Sequence, residues 1–126
     1  MAVHLRRKGA TLSLVVAEPA ERNDGARYIE ALEEIAGETA PFALLVAFDG
    51  RLDLDHEHRR AQNLWFKATR GKMNATCRAV AVLRENPTPE MQRTFSGLWT
   101  FPVLVTRSRA EAETFLATHL PAGRTS

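Results

Sequence analysis

Phe42-Ala43-Leu44-Leu45-Val46-Ala47-Phe48 is apolar at every position and closes on Asp49-Gly50. The run has no polar face and is short for a helix, so it reads as a strand buried on both sides at the centre of a sheet. Arg78-Ala79-Val80-Ala81-Val82-Leu83 repeats the pattern, and Phe101-Pro102-Val103-Leu104-Val105 gives a third such strand. Helical spacing lies between them. Asp55 is positioned as an N-cap, and Ala61, Leu64, Trp65 and Ala68 follow at i, i+3, i+4, i+7, which makes them the expected core face of a helix running to about Arg70-Gly71. Lys72–Thr76 could add a further turn. Thr88 caps a short helix that begins with Pro89 and carries Met91, Phe95 and Leu98. Ser108 caps a last helix with Ala112, Phe115, Leu116 and His119.

Toward the N-terminus, Asn23-Asp24 precedes a helix with Tyr28, Leu32 and Ile35 on one face, stopped by Gly37. Leu12, Leu14 and Val16 alternate along a strand, and Val3–Lys8 is its partner across a Gly9-Ala10 turn. The resulting order is β-β-α-β-α-β-α-β-α. It predicts an α/β fold: one mixed, mostly parallel sheet with an N-terminal antiparallel hairpin and about four helices. At 126 residues the chain is expected to be a single domain, with a core over about 3–120 and a frayed tail at 121–126. Ligands of such sheets collect beyond the carboxyl ends of the strands. Those ends are Phe48-Asp49-Gly50, Leu83-Arg84-Glu85-Asn86 and Val105-Thr106-Arg107-Ser108.

A composition of 44% hydrophobic and 25% charged residues excludes a disordered chain, and the single cysteine, Cys77, excludes an internal disulfide. A lone thiol suits a reducing compartment, so the expected location is the cytoplasm. No apolar run approaches the ~20 residues of a membrane span, and the Met1–Lys8 start is not expected to be a signal peptide. Net charge is +2, yet residues 18–57 hold eleven acids against three arginines and residues 58–84 hold seven basic residues and no acid. Opposed blocks of this kind suit packing of one against the other better than a basic face for nucleic acid, which is not expected as a partner.

Beyond layout, Arg59-Arg60-Ala61-Gln62-Asn63-Leu64-Trp65-Phe66-Lys67 resembles the helix of SpoIIAA-like proteins, the small STAS/Sec14-type domains. So do Arg78-Ala79-Val80-Ala81-Val82, the short helix after it, Phe101-Pro102-Val103-Leu104-Val105, and Ala110-Glu111-Ala112-Glu113 leading to Phe115-Leu116. The resemblance covers about residues 10–120 and rests on pattern. It implies a four- or five-stranded sheet with helices largely on one face and no single activity. Some relatives are bacterial signalling regulators, and others bind small apolar or lipid-like ligands. In the anti-sigma-factor antagonist branch a phosphorylated Ser or Thr follows the central strand. Here Asp49–Glu57 has four acids and no hydroxyl residue, which argues against a phosphoswitch.

The candidate site lies on the second helix. Asp53-Leu54-Asp55-His56-Glu57-His58 is the densest polar cluster, but His56 and His58 sit ~200° apart on a helix, so no metal site is expected. His56, His58 and Arg59, with the rings of Trp65 and Trp99, are the expected ligand-binding residues. Leu64, Trp65 and Phe66 are consecutive and cannot all face inward, so a ring is left for a pocket or for a homodimer surface. Arg60, Lys67 and Arg70 continue a cationic stripe from His56 through Asn63, suited to a protein partner of opposite charge. No nucleophile elbow, GxGxxG or Walker loop occurs, so no catalytic residue is assigned and no cofactor is expected. The functional expectation is a non-catalytic regulatory or binding domain for a protein partner or a small apolar or anionic ligand. The alternative is a small or accessory enzyme using an apolar cavity at the sheet's carboxyl edge.

Overall fold

The computed structural model describes residues 3–17, 24–49 and 56–119. Strands β1 (Val3–Lys8) and β2 (Thr11–Ala17) form an antiparallel hairpin with Val3 opposite Val16 and Lys8 opposite Thr11. Gly9 takes φ +60° at the turn, a conformation any side chain would resist. Helix α1 (Asp24–Ala36) then leads to β3 (Phe42–Asp49), α2 (His56–Thr76), β4 (Cys77–Leu83), α3 (Pro89–Ser96), β5 (Val103–Thr106) and α4 (Arg109–His119). The sheet order is β1-β2-β3-β4-β5, with β2 to β5 mutually parallel. The expected α/β order and the mixed five-stranded sheet with four helices are therefore observed.

Strand order follows chain order, so crossovers of one hand carry α1, α2 and α3 to the same face. The packing reflects this. Tyr28, Leu32 and Ile35 of α1 and Trp65 and Met73 of α2 form one core with Leu12, Leu14, Leu44, Val80, Val82 and Val103. The opposite face of β3 and β4 offers Ala43, Leu45, Ala79 and Ala81, on which Ala112 and Leu116 of α4 pack. Small strand residues let that one helix approach closely. This two-sided covering explains why the β3 and β4 sequences lack a polar face.

Several local expectations hold. Gly37 ends α1, its N–H donating to the carbonyls of Glu33 and Glu34. The Met91 N–H donates to Thr88 Oγ1 at 3.1 Å, with Pro89 opening α3. The Glu111 N–H donates to Ser108 Oγ at 3.1 Å. The expected caps Asn23 and Asp55, the turn at Gly50 and the tail 121–126 lie outside the described residues.

Two expectations are corrected. Leu64 is 56% exposed and Ala68 is exposed, so neither belongs to the core face of α2. The helix is turned to bury Trp65 and Met73, with Phe66, Gln62 and Thr69 half-buried. Bulk decides this. Trp65 is buried in either phase, and adding Met73 and part of Phe66 removes more apolar surface from water than adding Leu64 and Ala68 would. The helix also continues through Gly71 to Thr76 and enters β4 directly, because burial of Met73 requires the extra turns. The second correction is at β5, which has four residues and starts at Val103. Pro102 has no N–H to give to a ladder, and the Phe101 ring stacks on Trp99 at 5.1 Å.

β5 is an edge of the sheet, and α3 closes it. Gln92 donates from Nε2 to the Val103 carbonyl at 2.6 Å and accepts from the Val105 N–H at 2.8 Å. One side-chain amide thus stands in for a neighbouring strand at the place where an open edge invites misassembly. Leu45, 2% exposed beneath α4, tests the two-sided sheet. Leu45→Ala is expected to lower unfolding free energy by about 2–5 kcal/mol, read from the denaturation midpoint. An unmoved midpoint would take Leu45 out of the core.

Candidate functional site

The carboxyl ends of β3 and β4 lead to a cleft of about 420 Å³ roofed by α2 and α3 and closed on one side by α1. Its apolar wall is Tyr28, Phe48, Phe66, Phe95 and Leu98; its polar wall is Arg59, Gln62, Asn63, Arg84 and Thr94. The α2 contributors 59, 62, 63 and 66 recur at i, i+3, i+4, i+7, so the helix presents one continuous side to the cleft. The Arg84 guanidinium lies over the Phe48 ring, 4.8 Å from its centroid. Stacking there holds the cation on an apolar support, and among the described residues no carboxylate pairs with it. The Tyr28 phenol is pushed up to about 12 by burial, so it stays a neutral hydroxyl at physiological pH.

A smaller apolar chamber of about 40 Å³ lies against the cleft and shares Tyr28, Phe48, Phe66 and Phe95 with it. Its remaining wall includes Leu14, Leu44, Val80, Val82, Trp65 and Trp99. The aromatic rings form a chain. Trp65 meets Phe66 edge-on at 5.3 Å, Phe66 meets Trp99 edge-on at 5.7 Å, and Trp99 stacks on Phe101. Phe66, which lines both spaces, sits between the two indoles in this chain. The indole nitrogens of Trp65 and Trp99 are buried and have no hydrogen-bond acceptor among the described residues.

Of the residues expected at a ligand site, Arg59 lines the cleft and Trp65 and Trp99 line the chamber. His56 is exposed at the start of α2 and His58 is half-buried; neither lines the cleft or the chamber. Arg60, Lys67 and Arg70 are exposed, as a solvated cationic stripe requires. Sequence reasoning missed Arg84, Gln62, Phe48 and Tyr28. Arg84 carried a signal, since it stands at the carboxyl end of β4, where ligands of such sheets gather. Tyr28 had none beyond its place on the core face of α1.

Two cations tie down the end of α1. Glu38, after α1, is ion-paired with Arg7 of β1, and Lys72 of α2 donates to the Ala36 carbonyl at the end of α1. The hydrogen bond from Arg7 holds the Glu38 carboxyl below its ordinary range; burial opposes it, and the Arg7 and Lys72 charges add smaller help. Among the described residues no cluster of three or more His, Cys, Asp or Glu could hold a metal ion. No helix among them is long and apolar enough to cross a membrane. Neither protein-family models nor curated proteins return a match to this chain.

Cys77 stands apart from the cleft, 2% exposed, its thiol donating weakly to the Ala79 carbonyl at 3.4 Å. Burial pushes the thiol up to about 12 from its ordinary 9.0, which leaves it un-ionised and unreactive. The folded pKa lies above the unfolded one, so the unfolded chain loses its proton first. The corresponding stability is complete below pH 9 and is lost as pH climbs toward 12. Tyr28, raised from 10.0, acts in the same direction. Cys77→Ala is expected to resist alkaline unfolding better than the parent between pH 9 and 11 relative to neutral pH, and the folded parent is expected to resist thiol reagents. Rapid labelling of the native protein would contradict the burial.

Proposed function

We propose that this chain is a SpoIIAA-like bacterial binding domain of the cytoplasm that takes a small amphipathic anion in the cleft between α1, α2 and α3. The observation that carries this reading is the Arg84 guanidinium stacked on Phe48, with no carboxylate pairing it among the described residues, at the rim of an aromatic-walled cleft. A charged group at an apolar wall costs desolvation unless something binds it, and an anion with an apolar body satisfies both walls at once. Arg59 adds positive charge, Gln62 and Asn63 offer amides, and Thr94 offers a hydroxyl. The cleft volume of about 420 Å³ is that of a small-molecule site. The sheet, with three of its four helices on one face, agrees with what the resemblance implies.

The exposed stripe of Arg60, Lys67 and Arg70 supports a second, separate reading: docking of an acidic protein surface. It is electrostatic and therefore salt-sensitive, because exposed charges are screened within about 8–10 Å at physiological ionic strength.

Octanoate serves as a probe for the cleft. Titration calorimetry is expected to show that it binds and that Arg84→Glu weakens it by about tenfold or more, the loss of a charge-assisted contact. Circular dichroism first establishes that the variant is folded. No binding by the parent, or equal binding by octylamine, would sink the anion-site reading. For the stripe, Arg60→Glu with Lys67→Glu is expected to remove a salt-sensitive affinity for poly-glutamate; retention of that affinity in the folded variant would dismiss the second reading.

A further inference from the structure

Helix α2 carries a second apolar stripe, which the described residues leave uncovered. Leu64, Ala68, Gly71 and Ala75 recur at i, i+4, i+7, i+11, about 100° round the helix from the buried Trp65. All four are exposed. Leu64, 56% exposed, is the single large hydrophobic side chain left in solvent among the described residues. A glycine inside a helix costs stability, and the described structure does not call for one at this position: a Cβ on Gly71 would meet no atom within 4 Å. The space it leaves is useful only to something packed on the outside of α2.

The surroundings of the stripe are charged. Arg60 and Lys67 stand four residues before and three residues after Leu64, and Arg70 follows three residues on; all three are exposed. After Glu57, α2 has no acidic residue. The neighbouring helix is the reverse. α1 exposes Glu30, Glu33 and Glu34, and its only cation, Arg27, is half-buried. Among the described residues, Glu30, Glu33, Arg60, Lys67 and Arg70 form no ion pair. Because α1 and α2 pack against each other, one outer layer of the protein sets an acidic helix beside a helix that is cationic and apolar.

We infer that this layer is the contact surface for a second copy of the chain, related by a two-fold axis that sets α1 of each copy on α2 of the other. This rests on the reading of the α2 stripe as a dock for an acidic protein surface, and it identifies that surface as α1. Both helices are crossovers between parallel strands and run the same way, so the two-fold lays them antiparallel and matches both charged faces in one operation. Packing α2 on α2 would face cation with cation, and α1 on α1 acid with acid. Leu64 supplies the apolar anchor, and the small residues at 68, 71 and 75 let the second copy's helix approach closely. An anionic membrane is a poorer match, since one large apolar side chain gives little to insert and the α1 carboxylates would face lipid phosphates. Helices of 13 and 21 residues side by side offer a contact on the order of 1,000 Å² in total, the lower end for a specific interface. The expected dimer is therefore weak, concentration-dependent and salt-sensitive.

Sedimentation equilibrium on the whole chain tests this. The parent is expected to form a dimer whose dissociation constant rises about tenfold or more between about 0.1 M and about 1 M salt. Arg60→Glu with Lys67→Glu, and separately Glu30→Lys with Glu33→Lys, are each expected to give a monomer, with folding first established by circular dichroism. An equimolar mixture of the two variants is expected to recover a heterodimer, because the reversed faces match only across the mixture. Gly71→Gln leaves the charges alone. It favours the helix, so the melting temperature is held or raised, and it fills the space a second copy needs, so dimerisation weakens by about tenfold or more. A salt-insensitive dimer, a folded mixture that stays monomeric, or a Gly71→Gln variant that dimerises like the parent would overturn the second-copy assignment. A parent still monomeric at about 1 mM that binds poly-glutamate through the stripe would overturn it and leave the acidic-partner reading standing. A monomeric parent that ignores poly-glutamate, with or without binding to phosphatidylserine vesicles, would overturn both.

Discussion

Covering both faces of β3 and β4 is the constraint on which the rest of the structure depends. Strands laid down in chain order with crossovers of one hand send three helices to one side and leave the other side bare. A bare apolar face is unstable in water, so α4 must return after β5 to cover it. The division of labour is written into side-chain size. Ala43, Ala79 and Ala81, with Leu45, face α4, and Leu44, Val80 and Val82 face the three crossover helices. The first face is shallow and admits one close helix. The second is deep and must be filled by large residues from three elements.

That depth creates the cleft. α1, α2 and α3 lie over the carboxyl half of the sheet, and rings from each line the space between them: Tyr28 from α1, Trp65 and Phe66 from α2, Phe95 from α3, Trp99 from the turn beyond it. Rings are rigid and meet edge-on, so they do not fill a three-way junction as flexible aliphatic chains would. A small apolar chamber is left among them, with a larger opening above it. The polar residues that rim the opening come from two places, the turn of α2 that includes Arg59, Gln62 and Asn63, and the first residue after β4, Arg84. Their convergence follows from the parallel sheet, which brings the end of each strand to the start of the next helix at one edge.

Charge has a double use in this chain. Arg7 of β1 holds Glu38 and Lys72 of α2 donates to the last carbonyl of α1, so two cations are spent on docking α1 between β1 and α2. Arg84 in the cleft, which no carboxylate pairs among the described residues, is used differently from the exposed stripe on α2. Arg84 illustrates the difference: it is half-buried and supported by a ring, while Arg60 and Lys67 stand in solvent. A supported cation can orient a bound anion; a solvated one contributes long-range attraction.

Most of the fold was legible in the residues because its signals are local. Alternation along Leu12–Val16, unbroken apolar runs at β3 and β4, the Gly9 turn, and the Thr88 and Ser108 caps each depend on near neighbours. The phase of α2 was not legible. Leu64 and Ala68 satisfy helical spacing as well as Trp65, Thr69 and Met73 do, and only the volume available over the sheet selects the second set. The candidate site divides the same way. A helix N-terminal half rich in Arg and polar groups pointed to Arg59, and ring content pointed to Trp65 and Trp99. Arg84, Phe48 and Tyr28 join them from residues far apart in the chain. Spacing along a chain determines which side of one element a residue occupies. Which sides face each other, and so which cation meets which ring and which indole is left without a partner, is decided only when the elements pack.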